Sequence, residues 1–169
     1  MKFSVSKDVF EKMDNLCLGI VVAKGIDNSK SEKIAEMLNQ NISIAEEKFQ
    51  DKKVKEMDEI VSYRDKFREL GINPNKFMSS IEAIITRISK HKGFPSINPI
   101  VDLGNYIMLM TGQPINMYDL NKLDGDVKVT SSYDGKFKSF DEKEYDLKSG
   151  DILIEDSKKP LCLAGIIAS

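Results

Sequence analysis

The chain has 169 residues, long enough to bury a real core as one domain, with 27 acidic and 25 basic side chains and a formal charge of −2. Its 41% hydrophobic and 31% charged residues, with no Trp, exclude a disordered or membrane-embedded chain. The near-neutral balance argues against a protein that coats nucleic acid electrostatically and leaves room only for a local basic patch.

Residues 3–6 read as a short strand and 8–13 as a short helix. Residues 16–23 (Leu-Cys-Leu-Gly-Ile-Val-Val-Ala) are short, β-branched and continuously apolar, which predicts an interior strand. A turn at 25–29 leads into helical pattern from 30 to about 70. Ile34, Leu38, Ile42, Ala45 and Phe49 form its first apolar stripe. After a break near 50–54, Ile60, Tyr63, Phe67 and Leu70 form the second. Residues 71–75 close that helix and open another over about 76–90, with Phe77, Ile81, Ile84, Ile85 and Ile88 on one face.

Residues 96–119 are the stretch around which the rest is read. Asn98 has the side-chain oxygen of an N-cap, Pro99 fits a first helical turn, and Gly112 supplies a stop. Ile100, Leu103, Ile107 and Met110 recur at helical spacing and predict the buried face. Asp102, Asn105 and Asn116 interrupt this apolar segment. Buried carboxylates and amides need partners, so these three either brace the helix and its following turn or line a pocket.

Beyond 119 the period changes to two. Residues 126–130 alternate as a strand, and Asp134-Gly135 predicts a hairpin joining it to 137–140. Residues 151–155 and the doubly apolar 161–168 supply further strands. Helices crowd the middle and strands the end, which predicts an α+β fold. It is read as one domain over 1–169, helix-rich over 1–95 and strand-rich over 96–169.

The chemistry open to these residues is limited. The sequence has no glycine-rich phosphate loop, no Gly-x-Ser-x-Gly elbow and no His/Cys cluster at zinc spacing, so neither a metal nor a cofactor is expected. His91 is the only histidine and sits in an exposed-looking Lys-His-Lys run. Cys17 and Cys162 each lie in an apolar run and are expected to be buried, reduced thiols of a cytoplasmic protein. Arg87, Lys90 and Lys92 follow a helix with no acid between Glu82 and Asp102. They either complement the helix dipole or contact phosphate.

The succession Ile97-Asn98-Pro99-Ile100-Val101-Asp102-Leu103-Gly104-Asn105-Tyr106, then Gly112-Gln113-Pro114, Tyr118-Asp119-Leu120, Leu123-Asp124-Gly125 and Leu163-Ala164-Gly165-Ile166, resembles the B3/B4 module. That module is the tRNA-editing domain of the bacterial phenylalanyl-tRNA synthetase β subunit. The upstream Tyr63-Arg64, Ser79-Ser80-Ile81-Glu82 and Arg87 are similar to free-standing relatives of the module. The resemblance implies a mixed β-sandwich with packed helices and a pocket that hydrolyses tyrosine wrongly esterified to tRNA. It places Asn105, Asn116 and Gly165 at the substrate, with Asp102 holding Asn105 or the local backbone, and Arg87, Lys90 and Lys92 on RNA.

Two positions depart from the family. Gly104 stands where a threonine is usual, and Asn116 replaces a histidine; a neutral amide positions a water or substrate but takes up no proton. The expected function is therefore a stand-alone editing-like protein with an aminoacylated tRNA end as partner, and with neither DNA nor membrane. The alternatives are a non-catalytic module for an amino acid, small ligand or protein, and a hydrolase of a small amide or ester. Relatives also continue into a further strand bearing a glutamate, so residues 161–167 are expected to lack a partner in the same chain.

Overall fold

The computed structural model describes residues 1–50, 52–92, 94, 96–139, 142–163 and the backbone of 167–168. The chain divides into two compact units, Val22–Met117 and a second made of Met1–Val21 with Tyr118–Ser169. Helices and strands are both well represented, and the fold is α+β.

The first unit is helical. Helix α2 (Glu32–Phe49) begins where Ser31 Oγ accepts from the Ile34 amide, and buries Leu38, Ile42, Ala45 and Phe49 as its period predicts. A 3₁₀ turn, Val54–Glu56, interrupts the pattern before α3 (Asp58–Glu69). Helix α4 (Ser80–Ser89) starts four residues later than its apolar pattern. Ser79 caps it, and Asn73 Oδ1 bonds the Asn75 amide to hold 73–75 in a turn. Helix α5 (Pro99–Thr111) has the Asn98 cap and a left-handed Gly112 (φ 69°) at its end. Leu38, Ile42, Ile81, Ile85, Ile88 and Met108 form the core of this unit, with α5 packed on α2 and α4.

The buried face of α5 is not the expected one. Leu103 (39%), Ile107 (38%) and Met110 (61%) are exposed, while Asp102, Gly104 and Met108 are buried. Val101, Tyr106, Met108 and Leu109 supply a second apolar side, so the helix is apolar nearly all round. Periodicity cannot choose between two such faces.

The second unit holds a five-stranded mixed sheet in the order β1-β2-β5-β6-β7. Here β1 (Phe3–Val5) runs parallel to β2 (Val127–Ser131), and β5 (Ile152–Glu155), β6 (Pro160–Leu163) and β7 (Ile167–Ala168) follow antiparallel. Helix α1 (Lys7–Lys12) lies against β2. Strands β3 (Gly135–Lys138) and β4 (Glu144–Leu147) form a separate two-stranded sheet. Its Phe137 and Leu147 meet Leu153 and Leu163 of the large sheet, giving a lopsided sandwich.

Three strand expectations change. Asp134-Gly135 does not join 126–130 to 137–140 as a hairpin, because Phe137 pairs with Tyr145 of β4 and Val129 pairs with Ile154 of β5. Residues 161–168 form two short strands rather than one. Strand β6 has β5 on one side and β7 on the other, so it is partnered within the chain.

The largest correction is at 16–23. These residues form no strand, and Leu18 (44%), Ile20 (50%), Val21 (92%) and Val22 (62%) are exposed. Cys17 is exposed as well, whereas Cys162 is buried as expected. Apolarity favours a buried strand but does not supply the neighbour whose backbone groups a strand needs.

Candidate functional site

Helix α5 and the extended residues 113–117 that return along it carry most of the candidate residues, all within the helical unit. The turn is held at its base by Tyr63, whose hydroxyl donates to the Gly112 carbonyl at 3.2 Å. Burial pushes the Tyr63 phenol up from its ordinary pKa, so it remains a donor at neutral pH.

At the start of α5, Asp102 is 2% exposed. Its carboxylate accepts from the Ile97 amide at 2.9 Å and from the Ser96 hydroxyl. Asp102 therefore braces the backbone just ahead of its own helix. Asn98 Oδ1 accepts from the Val101 amide, and Asn28 Oδ1 accepts from the Ile100 amide, each at 3.1 Å. Asn28 was not singled out from sequence; its place in an Asp-Asn-Ser turn was the signal available. A cavity of about 390 Å³ opens here, lined by Asn28, Ser31, Ser96, Asn98 and Asp102 among others. Asn105 and Asn116 do not line it.

Asn105 is half-buried, one turn from Asp102 and from Met108 on the inward side of α5. Its amide makes no hydrogen bond among the described residues, although neighbouring Tyr106 has its carbonyl engaged by Asn41 Nδ2 at 3.1 Å. Asn116 is exposed on the returning segment and has a polar partner of its own. Gly165 lies outside the described residues.

Gly104, the departure from Thr, is explained by its neighbour. A Cβ at this position would fall within the Met117 methyl and 3.1 Å from its sulfur, with Ile115 Cγ2 3.9 Å away. The missing side chain is what lets 115–117 lie close along the helix.

The basic residues sit at the other end of the unit. Arg87, Lys90, His91 and Lys92 are all exposed. The Lys92 amide reaches back to the Arg87 carbonyl and the His91 amide to that of Ile88, closing α4 with His91 in the left-handed region (φ 50°). His91 Nδ1 is 3.7 Å from Glu46, an acid beside the cationic group. Behind α4, the buried Arg64 bonds Glu82 at 2.7 Å, the Pro74 carbonyl at 3.0 Å and Asn75 Oδ1 at 2.7 Å. This ties α3 to α4 and to the turn between them. Among the described residues, no group of three or more His, Cys, Asp or Glu side chains could hold a metal ion, and no helix is long and apolar enough to cross a membrane.

The α+β fold and this motif-bearing helix and turn define a domain of known type. The B3/4 domain family model matches residues 62–169, most of the chain, and the chain belongs to that family. It is 40% identical over 97 residues to the phenylalanine–tRNA ligase beta subunit of Colwellia psychrerythraea, an alignment covering 57% of this chain and 12% of that protein. Against the corresponding subunits of Aquifex aeolicus and Thermotoga maritima it is 42% identical over 76 and 77 residues, in each case 44% of this chain and 10% of the relative. The chain thus spans about a tenth of the length of the curated relatives it matches.

Proposed function

We propose that this chain is an editing-type module that binds the aminoacylated 3′ end of a tRNA and hydrolyses a mischarged aminoacyl ester. The observation that supports this reading is Asn105. Its amide stands half-buried on the inward side of α5, within the family's own motif, and makes no hydrogen bond among the described residues. The amide still reaches solvent, so its donor and its acceptor are open to a ligand, and an aminoacyl group offers both a carbonyl and an amine.

In such a reaction water attacks the ester carbonyl, the acyl–oxygen bond breaks, and the products are a free amino acid and a ribose hydroxyl. Asn105 and Asn116 would orient the acyl group and the water, Gly165 would permit close approach, and catalysis would come from positioning. Asp102 would hold the backbone ahead of α5. Arg87, Lys90 and Lys92 would contact phosphate, adding counterion release to the binding.

Deacylation and binding across a panel of mischarged tRNAs test this. Asn105→Ala is expected to weaken aminoacyl-tRNA binding or turnover at least 10-fold with little change in melting temperature. Equal losses in both, or no effect on either, would return Asn105 to a structural role. A second reading, a non-catalytic binding module on the same fold, is favoured by Asn116, because an amide in place of histidine offers no base. Tight binding with no turnover of any ester would select it.

A further inference from the structure

Residues 16–22 are an unusual passage for a folded chain. Leu18, Ile20, Val21 and Val22 are 44–92% exposed, and the run contains neither a charge nor a proline before Lys24. From Cys17 to Val22, no backbone group makes a hydrogen bond to another backbone group among the described residues. Leu16 is half-buried and Leu18 and Ile20 are about half exposed, whereas Val21 is 92% exposed. Taken two apart, Leu16, Leu18 and Ile20 supply the large apolar side of a strand, with Cys17 and Gly19 on the smaller side.

The same unit has a vacant strand position. Strand β1 is the last of its sheet on one side, and it is paired only with β2. Lys2 and Ser6 direct backbone groups to β2, through the Val127 amide and the Val129 carbonyl. By the two-residue period, the backbone groups of Phe3 and Val5 point along the open edge. The connection from β1 to residue 16 runs through α1, which is fastened to the sheet. Asp8 accepts from the Ser131 amide, and Lys12 Nζ donates to Ser131 Oγ and to the Gly150 carbonyl. A strand, a helix packed against β2 and an apolar segment some ten residues later are the parts of a parallel crossover.

We propose that residues 16–21 dock as a sixth strand, parallel to β1 on its open edge. The docked state turns Leu16, Leu18 and Ile20 inward beneath α1 and leaves Cys17, Gly19 and Val21 on the outer face. It covers the Phe3 and Val5 backbone groups, and α1 becomes the crossover of a β-α-β unit. The exposed segment and the docked strand are then two states of one strap.

Cys17 offers a direct test, with Cys162→Ala removing the second thiol. In that background, Ser4→Cys and Val5→Cys place a partner on either face of β1. Under mild oxidation, one of the two variants is expected to form an intramolecular disulfide with Cys17 in more than half of the molecules, seen as a 2 Da loss and faster migration on a non-reducing gel. Hydrogen exchange at residues 18–21 is expected to be at least 10-fold slower than in an unstructured peptide of the same sequence. Crosslinking in neither variant, together with exchange at the peptide's rate, would overturn the proposal. Crosslinked dimers in place of the internal disulfide would overturn it too, by showing that another copy takes the edge.

Discussion

Met117 lies against Gly104 so closely that no side chain fits between them without displacing the methionine. The contact is at the free end of a flexible side chain that is 41% exposed, so it can swing outward. Gly104→Ala should therefore gain about 1 kcal/mol of helix propensity and lose a similar amount of Met117 packing, leaving the melting temperature nearly unchanged. The Met117 methyl resonance should shift markedly. Gly104→Thr places a branched side chain there and is expected to cost about 1–3 kcal/mol, with Met117→Ala restoring part of the loss. A Gly104→Thr variant as stable as the parent would show that 115–117 does not depend on the glycine.

The Arg64–Glu82 pair carries the next expectation. Both side chains are almost fully buried, at 6% and 1% exposure. Removing one partner strands the other's charge, so Arg64→Ala and Glu82→Ala should each cost about 3–5 kcal/mol. A double substitution by apolar residues of similar volume should cost far less than the sum. Chemical denaturation of the four proteins reads out the coupling, and additive losses would mean the pair is not a unit.

Asp156 predicts the acid limb of the strand-rich unit. Burial alone would raise its pKa, but the amides of Lys158, Lys159 and Asp124, at 2.8–3.1 Å, outweigh burial and hold it below the ordinary carboxylate value. A carboxyl with a lowered folded-state pKa adds stability above its unfolded pKa, and that stability is lost as pH falls through the folded one. Asp8, drawn down to about 2 chiefly by hydrogen bonding to Ser131, whose amide donates to its carboxylate, acts in the same direction over the window from about 4 to about 2. Asp156→Ala should lower stability at pH 7 by about 1–3 kcal/mol and flatten its dependence on pH below the ordinary carboxylate pKa of about 4. An unchanged slope would dismiss the three amides as its cause.

Thiol chemistry separates the two cysteines. Cys17 is exposed and should react with an aromatic disulfide within minutes in the native protein, whereas Cys162, 2% exposed, should wait for unfolding. One thiol titrated natively and two in denaturant is the expected count. This reverses the reading of 16–18, and the reversal shows what kind of information a sequence holds.

The caps of α5 were legible because Asn98, Pro99 and Gly112 act on their own neighbours. So were the apolar stripe of α2 and the α+β character, which follow from local period. The inward side of α5 was not legible: Ile100, Leu103, Ile107 and Met110 make as good a stripe as the residues that are actually buried. Nor was the partner of 135–138, since a turn signal says where a chain bends and not which strand it bends toward. At the candidate site, the motif marked Asp102 and Asn105. Asn28 was missed because its bond to the Ile100 amide spans 72 positions of sequence.

In the triple variant of Arg87, Lys90 and Lys92 to Ala, tRNA affinity should fall and its log–log dependence on salt should flatten by about 0.7–0.9 per lost contact. Unchanged affinity and slope would leave these side chains as the charged end of α4, where they also complement the helix dipole.

The pairing of Phe3 with Val127 has a consequence for how the chain is made. The helical unit is one continuous run, so it can collapse as soon as α5 has left the ribosome. The sheet unit draws on both sides of that run, and β1 must wait for more than a hundred residues of synthesis before β2 exists to receive it. Loops of that span close late and slowly. Until β2 is made, β1 and the apolar residues that follow α1 stay unpaired in the nascent chain, and such exposed edges are where association with other chains starts.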